Sequence, residues 1–421
     1  MKTSTSLTRC VVVLMLAFAA DVNADVIVVD ASGGGAFTDI WDAIEAAADG
    51  DTVLVKSGTY APTSPFGDTV TISQSLVLIA EAGASVTVQT GAATVEMRIQ
   101  DLPAGSAVVV RGIDFEFITI EVRDNAGHVR FEDCSFEGRR GYQMGSPPFE
   151  GVPGDPGALV ENSASVVFQD CDLQGGRGKD ADGGTFYELP SAGGPGLVAS
   201  GSDVVVSGTT VTGGIAGENS GTSVDGGHGL EVTDSSVLLS GTTVTGGLQA
   251  FSPGFCFWTP GSGLVVMDSA SVVRIRDSSF AAGAGPSTSC VGLDLDAPLG
   301  TTLNLPASAR GFTIDSPVRE NSFATLTATG ASGDHVFVFS SLSAGYLEAW
   351  PSQGVFLLGA PYQGPVALGS IGSGPLTVPV LVRDLPAGVE AATIHVQAFF
   401  LNGSELVLGP ATSPTVIDDT L

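Results

Sequence analysis

Short apolar strands recur along the middle of the chain, each followed by a polar or glycine turn and a second strand in which apolar and polar residues alternate. Five aligned copies read HVRFEDCSFEG (128–138), SVVFQDCDLQG (165–175), DVVVSGTTVTG (203–213), SVLLSGTTVTG (236–246) and SVVRIRDSSFAAG (271–283). Repetition at a period of about 20 to 50 residues is typical of solenoids. Neither strand buries its inner face alone, so we expect successive coils to stack and pair in parallel. The pattern predicts an all-β, right-handed parallel β-helix.

The amino end departs from this repeat and predicts one short amphipathic helix. The segment GGGAFTDIWDAIEAAADGDTVLVKSGTY (33–60) places apolar residues on one side of a helix, namely Ile40, Trp41, Ile44 and Ala47 or Ala48. The open end of a β-helix exposes a slice of core and unpaired backbone groups. We therefore expect this helix to cap the first coil.

The same region carries a resemblance to a known family. Phe37, Ile40, Ala43 and Ile44, followed by GDTVLV (50–55), GTY (58–60) and VTISQSLVLIAEAGA (70–84), resemble the opening coil of secreted bacterial β-helix proteins of the pectin lyase-like superfamily. The resemblance covers roughly residues 26 to 300. It implies the β-helix fold. The enzymes of this fold include polysaccharide lyases, polygalacturonases and pectin methylesterases.

Two further segments flank the repeats. Lys2 and Arg9, the apolar run CVVVLMLAFAA and the small-residue site VNA before Asp25 predict a secretory signal peptide over 1–24. After the β-helix, predicted for 25–305, alternating strands such as HVFVFSS and ATIHVQAFFLNGSELVLG predict an antiparallel β-sandwich over 306–421. No later apolar run has the length of about 18 residues that a membrane span needs. We expect a secreted, extracellular protein.

The charge balance argues against two classes of binding partner, nucleic acid and anionic membranes. Asp and Glu number 45 against 16 Lys and Arg, and the formal net charge is −29. Such a field repels nucleic acid and anionic membranes and attracts cations. A hydrophobic content of 43% nevertheless predicts a large folded core.

The cysteines have a structural interpretation. Cys134 and Cys171 occupy one slot in neighbouring copies, and Thr209, Thr242 and Ser278 follow in the same slot, which predicts an interior ladder of small side chains. Buried free thiols are favoured there over a disulfide, because free cysteine packs as a small hydrophobe. Cys256 and Cys290 lie in Gly/Pro-rich loops of adjacent coils, where an oxidising compartment would allow them to pair.

Long loops leave the repeat at one recurrent corner, at 139–156, 176–195, 214–228, 247–262 and 283–291. We expect them to gather along one edge of the solenoid, where insertions usually build the binding surface. They carry aromatic residues that suit stacking on sugar rings, namely Tyr142, Phe186, Tyr187, Phe257 and Trp258. The alternative is that these rings pack the loops onto one another.

A catalytic interpretation rests on the basic residues of these loops. Arg139 and Arg140 follow one strand at nearly the offset at which Arg177 and Lys179 follow the next. A β-elimination lyase needs a cation beside the uronate carboxylate and a base for the α-proton. Asp180, Asp182 and Glu188 offer hard oxygen ligands for calcium. The alternative is that these charges form local ion pairs on solvated loops.

The signatures of the known β-helix enzymes are missing. GGHGLEV (226–232) resembles the Gly-His-Gly stretch of polygalacturonases, but that family's Asn-Thr-Asp, Asp-Asp and Arg-Ile-Lys motifs, which supply the carboxylates for hydrolysis, do not accompany His228. The lyase stretch Arg-x-Pro-x-x-Arg and the methylesterase motifs are also missing.

The sequence thus favours a secreted, non-catalytic protein that needs no cofactor. It would bind extracellular polysaccharide, or mediate surface adhesion to a cell-surface component, through its loop-bearing edge. The alternative is a calcium-assisted lyase acting on acidic polysaccharide, and a third hypothesis is a purely structural extracellular component.

Overall fold

A computed structural model describes most of the chain. The described residues are 24–61, 69–90, 96–144, 150–181, 189–218, 224–249, 259–285, 292–348 and 353–421, with the backbone of 12 and 13. None of the helices in these ranges is long and apolar enough to cross a membrane.

Three parallel sheets, here named A, B and C, run the length of the solenoid. The strands of sheet A are Val26–Val29, Thr52–Val55, Leu76–Ala80, Ala107–Arg111, His128–Glu132, Val166–Gln169, Asp203–Ser207, Ser236–Ser240, Val272–Arg276 and Thr301–Asn304. Those of sheet B are Gly58–Tyr60, Val86–Gln89, Ile113–Glu116, Ser135–Glu137, Asp172–Gln174, Thr210–Thr212, Thr243–Thr245 and Ser279–Ala281. Those of sheet C are Thr69–Ile72, Glu96–Gln100, Thr119–Arg123, Ala158–Glu161, Leu197–Ser200, Leu230–Thr233, Leu264–Val266 and Leu295–Asp296.

Each coil passes from sheet A to B to C and back to A, which makes a right-handed parallel β-helix, as predicted. Aligned repeats pair in register, so that Val166 lies beside Val204 and Val204 beside Val237. The tight turn from sheet A to sheet B needs one residue with positive φ. Asp133, Asp170, Gly208, Gly241 and Asp277 fill it, residue types that tolerate the left-handed region.

The side chains between the sheets form one continuous core. Stacked phenylalanines belong to it, with Phe115 against Phe136 and Phe131 against Phe168. Cys134 and Cys171 are buried and free, which confirms the predicted thiols. Burial raises the pKa of the Cys134 thiol to about 12. Burial also raises the pKa of the Cys171 thiol well above its usual value. Neither thiol is therefore ionised near neutral pH.

The predicted helix spans Ile40–Ala46. Asp39 caps it, because its Oδ1 accepts a hydrogen bond from the Trp41 backbone N–H at 2.8 Å. Ile40, Trp41, Ala43 and Ile44 are buried in the solenoid core, as the amphipathic pattern predicts.

Antiparallel sheets follow the solenoid and enclose a second core around Phe312, Leu326, Val338 and Phe400. One sheet contains Gly311–Ile314, Phe323–Thr329 and Leu376–Leu381, with Val12–Val13 paired parallel to the last of these. Another contains Tyr362–Ser370, His335–Ser341, His395–Asn402 and Glu405–Thr412. Shorter strands complete the sandwich, namely Val318–Arg319, Ala391–Thr393, Thr415–Ile417, Ala344–Glu348 and Val355–Leu358.

The sandwich packs along the outward face of sheet A. Val167, Val205 and Leu238, which point out of the solenoid, form an apolar cluster with Val355 and Leu357 of the sandwich. Polar groups are buried in the same interface. The Arg130 guanidinium donates to the Ala411 carbonyl at 2.7 Å, and the Gln169 amide donates to the Phe312 carbonyl at 3.0 Å. The two units therefore share a large mixed interface.

Two histidines at this interface have lowered pKa values. Burial, the charge of Arg130 and nearby His128 hold the pKa of His395 well below its usual range. Burial and Arg130 also lower the pKa of His128. The folded state resists protonation of these rings, whereas the unfolded chain takes up protons below about pH 6.5. The histidine contribution to stability is thus present at higher pH and is lost on acidification.

We therefore expect wild type to lose more unfolding free energy between pH 7.5 and 5 than His395→Gln loses. Paired urea titrations at the two pH values measure this difference. Both proteins have the same Asp and Glu residues, so the contribution of those residues to the pH dependence cancels in the comparison. His335→Gln, at an exposed position of the same domain, is the control and should behave as wild type. Parallel pH profiles for wild type and His395→Gln would show that His395 contributes nothing to acid sensitivity.

Candidate functional site

The long loops all connect sheet B to sheet C, which confirms that they leave one corner of the solenoid. We call these segments the arms, and they comprise residues 138–157, 175–196, 213–229, 246–263 and 282–294. Their central residues lie outside the described ranges, namely 145–149, 182–188, 219–223, 250–258 and 286–291.

The bases of the arms are ordered, because outgoing and returning segments are stacked alternately and hydrogen-bonded through glycine. The Gly194 N–H donates to the Gly176 carbonyl at 2.8 Å, Gly214 to Gly194 at 2.7 Å, Gly227 to Gly214 at 2.9 Å, and Gly247 to Gly227 at 2.7 Å. This series of hydrogen bonds runs parallel to the solenoid axis. The bases of the arms, which the sequence analysis treats as loops, therefore form an ordered layer beside sheet C.

Outgoing arms also bond to one another with a period of three residues. Gly175 donates a backbone hydrogen bond to Thr212, the last residue of the next sheet B strand, and Gly178 and Ala181 donate to Ile215 and Glu218 of the outgoing arm that follows that strand. Three residues per turn is the repeat of a polyproline II helix. A Cβ on Gly214 or Gly227 would lie well inside 3.0 Å of a neighbouring carbonyl oxygen. The Gly-Gly pairs are therefore required by the close approach of the arms.

The outward face of sheet C carries a group of paired charges, here named the sheet C cluster. Arg98 contacts Glu121 at 2.8 Å and Glu96 at 3.1 Å. Arg123 contacts the other oxygen of Glu121 at 3.1 Å and Glu161 at 3.1 Å. The side chain of Glu121 is 9% exposed and takes an arginine on each oxygen. The cluster is therefore a fixed network.

Arg139 joins this cluster from the first arm. Its guanidinium pairs with Asp155 on the returning part of that arm, and with Glu96 at 3.6 Å. The Thr119 hydroxyl donates to the same Asp155 carboxylate at 2.8 Å. Arg139 thus ties the arm to sheet C, and its charge is shared between two carboxylates.

The other predicted basic residues point to different partners. The Arg140 guanidinium lies over the Phe117 ring, 5.2 Å from its centroid. Arg177 pairs with Asp180 at 2.9 Å and with Glu218 at 3.5 Å. Lys179 is half-buried on the same arm. The backbones of neighbouring arms touch where Gly141 donates to the Arg177 carbonyl at 2.8 Å, but Arg139, Arg140 and Arg177 engage separate groups.

Of the predicted calcium ligands, Asp180 is described, whereas Asp182 and Glu188 lie outside the described residues. Asp180 Oδ1 accepts the Glu218 backbone N–H at 2.7 Å and also pairs with Arg177. Partial burial opposes ionisation, but these hydrogen bonds and the Arg177 charge lower the pKa of Asp180 overall. One of its oxygens is thus already used, by Arg177 of its own arm and by Glu218 of the next arm. In the described part of the chain, Glu320, Asp418 and Asp419 of the sandwich approach closely enough to share an ion.

Among the predicted sugar-stacking residues, Tyr142 is described and is 46% exposed. It begins the strand Tyr142–Met144, which pairs with Glu150–Val152 in the first arm. Phe186, Tyr187, Phe257 and Trp258 lie outside the described residues, as do Cys256 and Cys290.

His228 bonds one arm to the next. Its Nδ1 accepts the Ser262 backbone N–H at 2.9 Å. Burial raises the pKa of neighbouring Glu231. The hydrogen bond explains why a histidine suits this position without assigning it a catalytic step.

The sequence analysis did not identify a column of polar side chains on sheet C. Register aligns Gln100, Arg123, Glu161, Ser200 and Thr233 on successive strands, and all five are half-buried or exposed. The signal was the polar residue that ends each of these strands, and it can be aligned only once the pairing register is known.

Some solved structures are similar to this chain at low sequence identity. No family model matches the chain, and no curated protein matches it. The solved structure of pectate lyase Pel9A is similar over 60% of this chain and 62% of that chain, with 15% identity and a TM-score of 0.32. The A-module of the Azotobacter vinelandii mannuronan C-5 epimerase AlgE4 is similar over 62% of this chain and 93% of that chain, with 13% identity and a TM-score of 0.15. The chain thus spans less than two thirds of the length of the pectate lyase. The β-helix assignment rests on the strand pairing described above.

Proposed function

We propose that the protein is exported through the signal peptide 1–24 and binds an extracellular polysaccharide without cleaving it. The binding surface is the outward face of sheet C, from the arms at the start of its strands to the polar column at their ends. The observation that carries the proposal is the polar column from Gln100 to Thr233, which offers a hydrogen-bonding side chain on each of five successive strands. Four strand spacings make a surface about 19 Å long, which suits an elongated ligand.

The charge pairing favours binding over elimination. A lyase needs a cation that can neutralise the uronate carboxylate as the α-proton leaves. Arg98, Arg123 and Arg139 instead contact the carboxylates Glu96, Glu121, Asp155 and Glu161. Three positive charges among four negative ones leave no excess of positive charge for an acidic substrate. Arg140, Arg177 and Lys179 stay as the candidates of the alternative, a calcium-assisted lyase.

The proposal is tested by removing two hydroxyl groups from the column. The double variant Ser200→Ala, Thr233→Ala should reduce affinity for the retained glycan about tenfold, because each hydrogen bond contributes about 0.5–1.5 kcal/mol. Affinity electrophoresis on immobilised polysaccharides measures this, with calcium and with a chelator, and retention should be equal in both.

The matched control is Thr210→Ala, Thr243→Ala, which removes two exposed hydroxyl groups from the outward face of sheet B. It should bind as wild type does. An equal loss of affinity in both double variants, or no loss in either, would show that sheet C does not form the binding surface.

A further inference from the structure

A groove of about 800 Å³ runs along the corner where the strands of sheet C turn into sheet A. Its wall is formed by the corner residues of successive coils, Asp124, Asn162, Gly201 and Asp234. The corners that face it extend from Asp124 to Ala270, and four strand spacings give a length of roughly 19 Å. The groove is thus elongated along the solenoid axis and lies beside the polar column of sheet C.

Small side chains keep this groove open. Ala126, Ala164 and Ala270 are exposed within it, and Gly201 has no side chain. The sandwich contributes Glu348 to the lining, and Glu348 bonds to Arg274 and to the Ser236 hydroxyl of the solenoid. Both units therefore line the groove, as is common for ligand sites at domain interfaces.

The charge of the lining excludes acidic ligands. Asp124, Asp203, Asp234 and Glu348 face a single cation, Arg274. Glu348 holds that cation on both of its oxygens, at 2.8 and 2.9 Å. Burial and the nearby Glu348 raise the pKa of Asp203, whereas Arg274 opposes that rise. A uronate chain would meet uncompensated negative charge here, whereas hydroxyl and ammonium groups would meet hydrogen-bond acceptors.

We propose that this groove binds a sugar chain that carries no acidic groups, with amino sugars bound most tightly. The inference rests on the proposed function and names its substrate class. Carboxylate and amide oxygens of Asp124, Asn162, Asp203 and Asp234 accept hydrogen bonds from hydroxyl groups of the chain. An ammonium group on the sugar adds attraction to the net negative lining.

Three tetrasaccharides of equal length and different charge test the proposal by calorimetry on the full chain. We expect the glucosamine tetramer to bind more tightly than the N-acetylglucosamine tetramer, and the galacturonate tetramer to bind at least tenfold more weakly than either. Added salt should narrow the difference between the first two, because it screens the ammonium contribution. Equal or tighter binding of the galacturonate tetramer would overturn the proposal.

Ala164→Trp tests whether the sugar binds in the groove, because this exposed alanine lies in the lining and a tryptophan there would fill part of the space. It should weaken glucosamine tetramer binding at least tenfold, whereas Ala281→Trp, at an exposed position of sheet B, should bind as wild type. Asp203→Asn is the smaller second variant and should weaken the glucosamine tetramer more than its N-acetylated form.

The outcomes separate this inference from the proposed function. Unchanged binding by Ala164→Trp, with its thermal unfolding also unchanged, would refute the groove while polysaccharide binding stands. Failure of the wild-type protein to retain any glycan would refute both.

Discussion

Gly227→Ala is expected to lower the free energy of unfolding by about 3 kcal/mol or more, a large effect for one added methyl group. The new Cβ would lie well inside 3.0 Å of the Gly194 carbonyl. The segments on both sides are fixed, because Gly227 donates to Gly214 and accepts from Gly247. The stack must therefore separate or the backbone must distort. Urea unfolding followed by near-ultraviolet circular dichroism measures the change.

The control is Gly372→Ala in the sandwich, where an added Cβ has no atom within 4 Å. It should be neutral or stabilise by about 0.4–1 kcal/mol through the unfolded state. If Gly227→Ala were as mild as Gly372→Ala, the arms would not be packed through glycine as described.

Glu132→Ala is expected to lower the free energy of unfolding by about 3 kcal/mol, because buried Arg111 loses its buried carboxylate and keeps only the half-exposed Asp133, at 3.2 Å, as an ion-pair partner. Glu132 is 2% exposed. It accepts hydrogen bonds from Arg111 at 2.9 Å, from the Thr412 hydroxyl at 2.8 Å and from the Ser413 backbone at 2.7 Å. Three donors in the interface between solenoid and sandwich thus lose their acceptor. Urea unfolding gives the free energy, and limited proteolysis reports release of the sandwich.

Glu45→Ala removes an exposed carboxylate from the capping helix and should change stability by less than about 0.5 kcal/mol. A loss for Glu132→Ala as small as that for Glu45→Ala would mean that the Glu132 carboxylate adds nothing to the docking of the sandwich.

The solenoid could be predicted from the sequence because stacking imposes the same residue type on each coil. Thr209 and Thr242 align in the written repeat. In the structure each hydroxyl donates to the backbone carbonyl two residues earlier, at 3.0 and 3.4 Å. The helix from Ile40 was visible for the same local reason, since its cap and its apolar side lie within eight residues, 39 to 46.

The docking of the sandwich had a signal that the repeat analysis did not use. The strands around Val167, Val205 and Leu238 are apolar on both faces, and a parallel strand without a polar face is usually covered on both sides. Sequence alone could have indicated that something covers sheet A, though not which segment does so.

The candidate site was harder to predict, because its contacts join residues far apart in the chain. Arg139 pairs with Glu96, a partner that no local pattern identifies. The glycine-rich arms were interpreted as loops, because a three-residue backbone repeat produces no pattern of hydrophobic residues in the sequence. The arms are ordered by main-chain hydrogen bonds, and such bonds leave little trace in side-chain composition.

The most direct test of polysaccharide binding without cleavage is one experiment on the wild-type protein. Retention is recorded on a panel of neutral, amino and acidic polysaccharides, with calcium or a chelator, while absorbance is followed in the unsaturated-uronate band. We expect retention on at least one glycan lacking acidic groups and no rise in absorbance under any condition. A calcium-dependent rise in absorbance, or no retention on any glycan, would contradict this account.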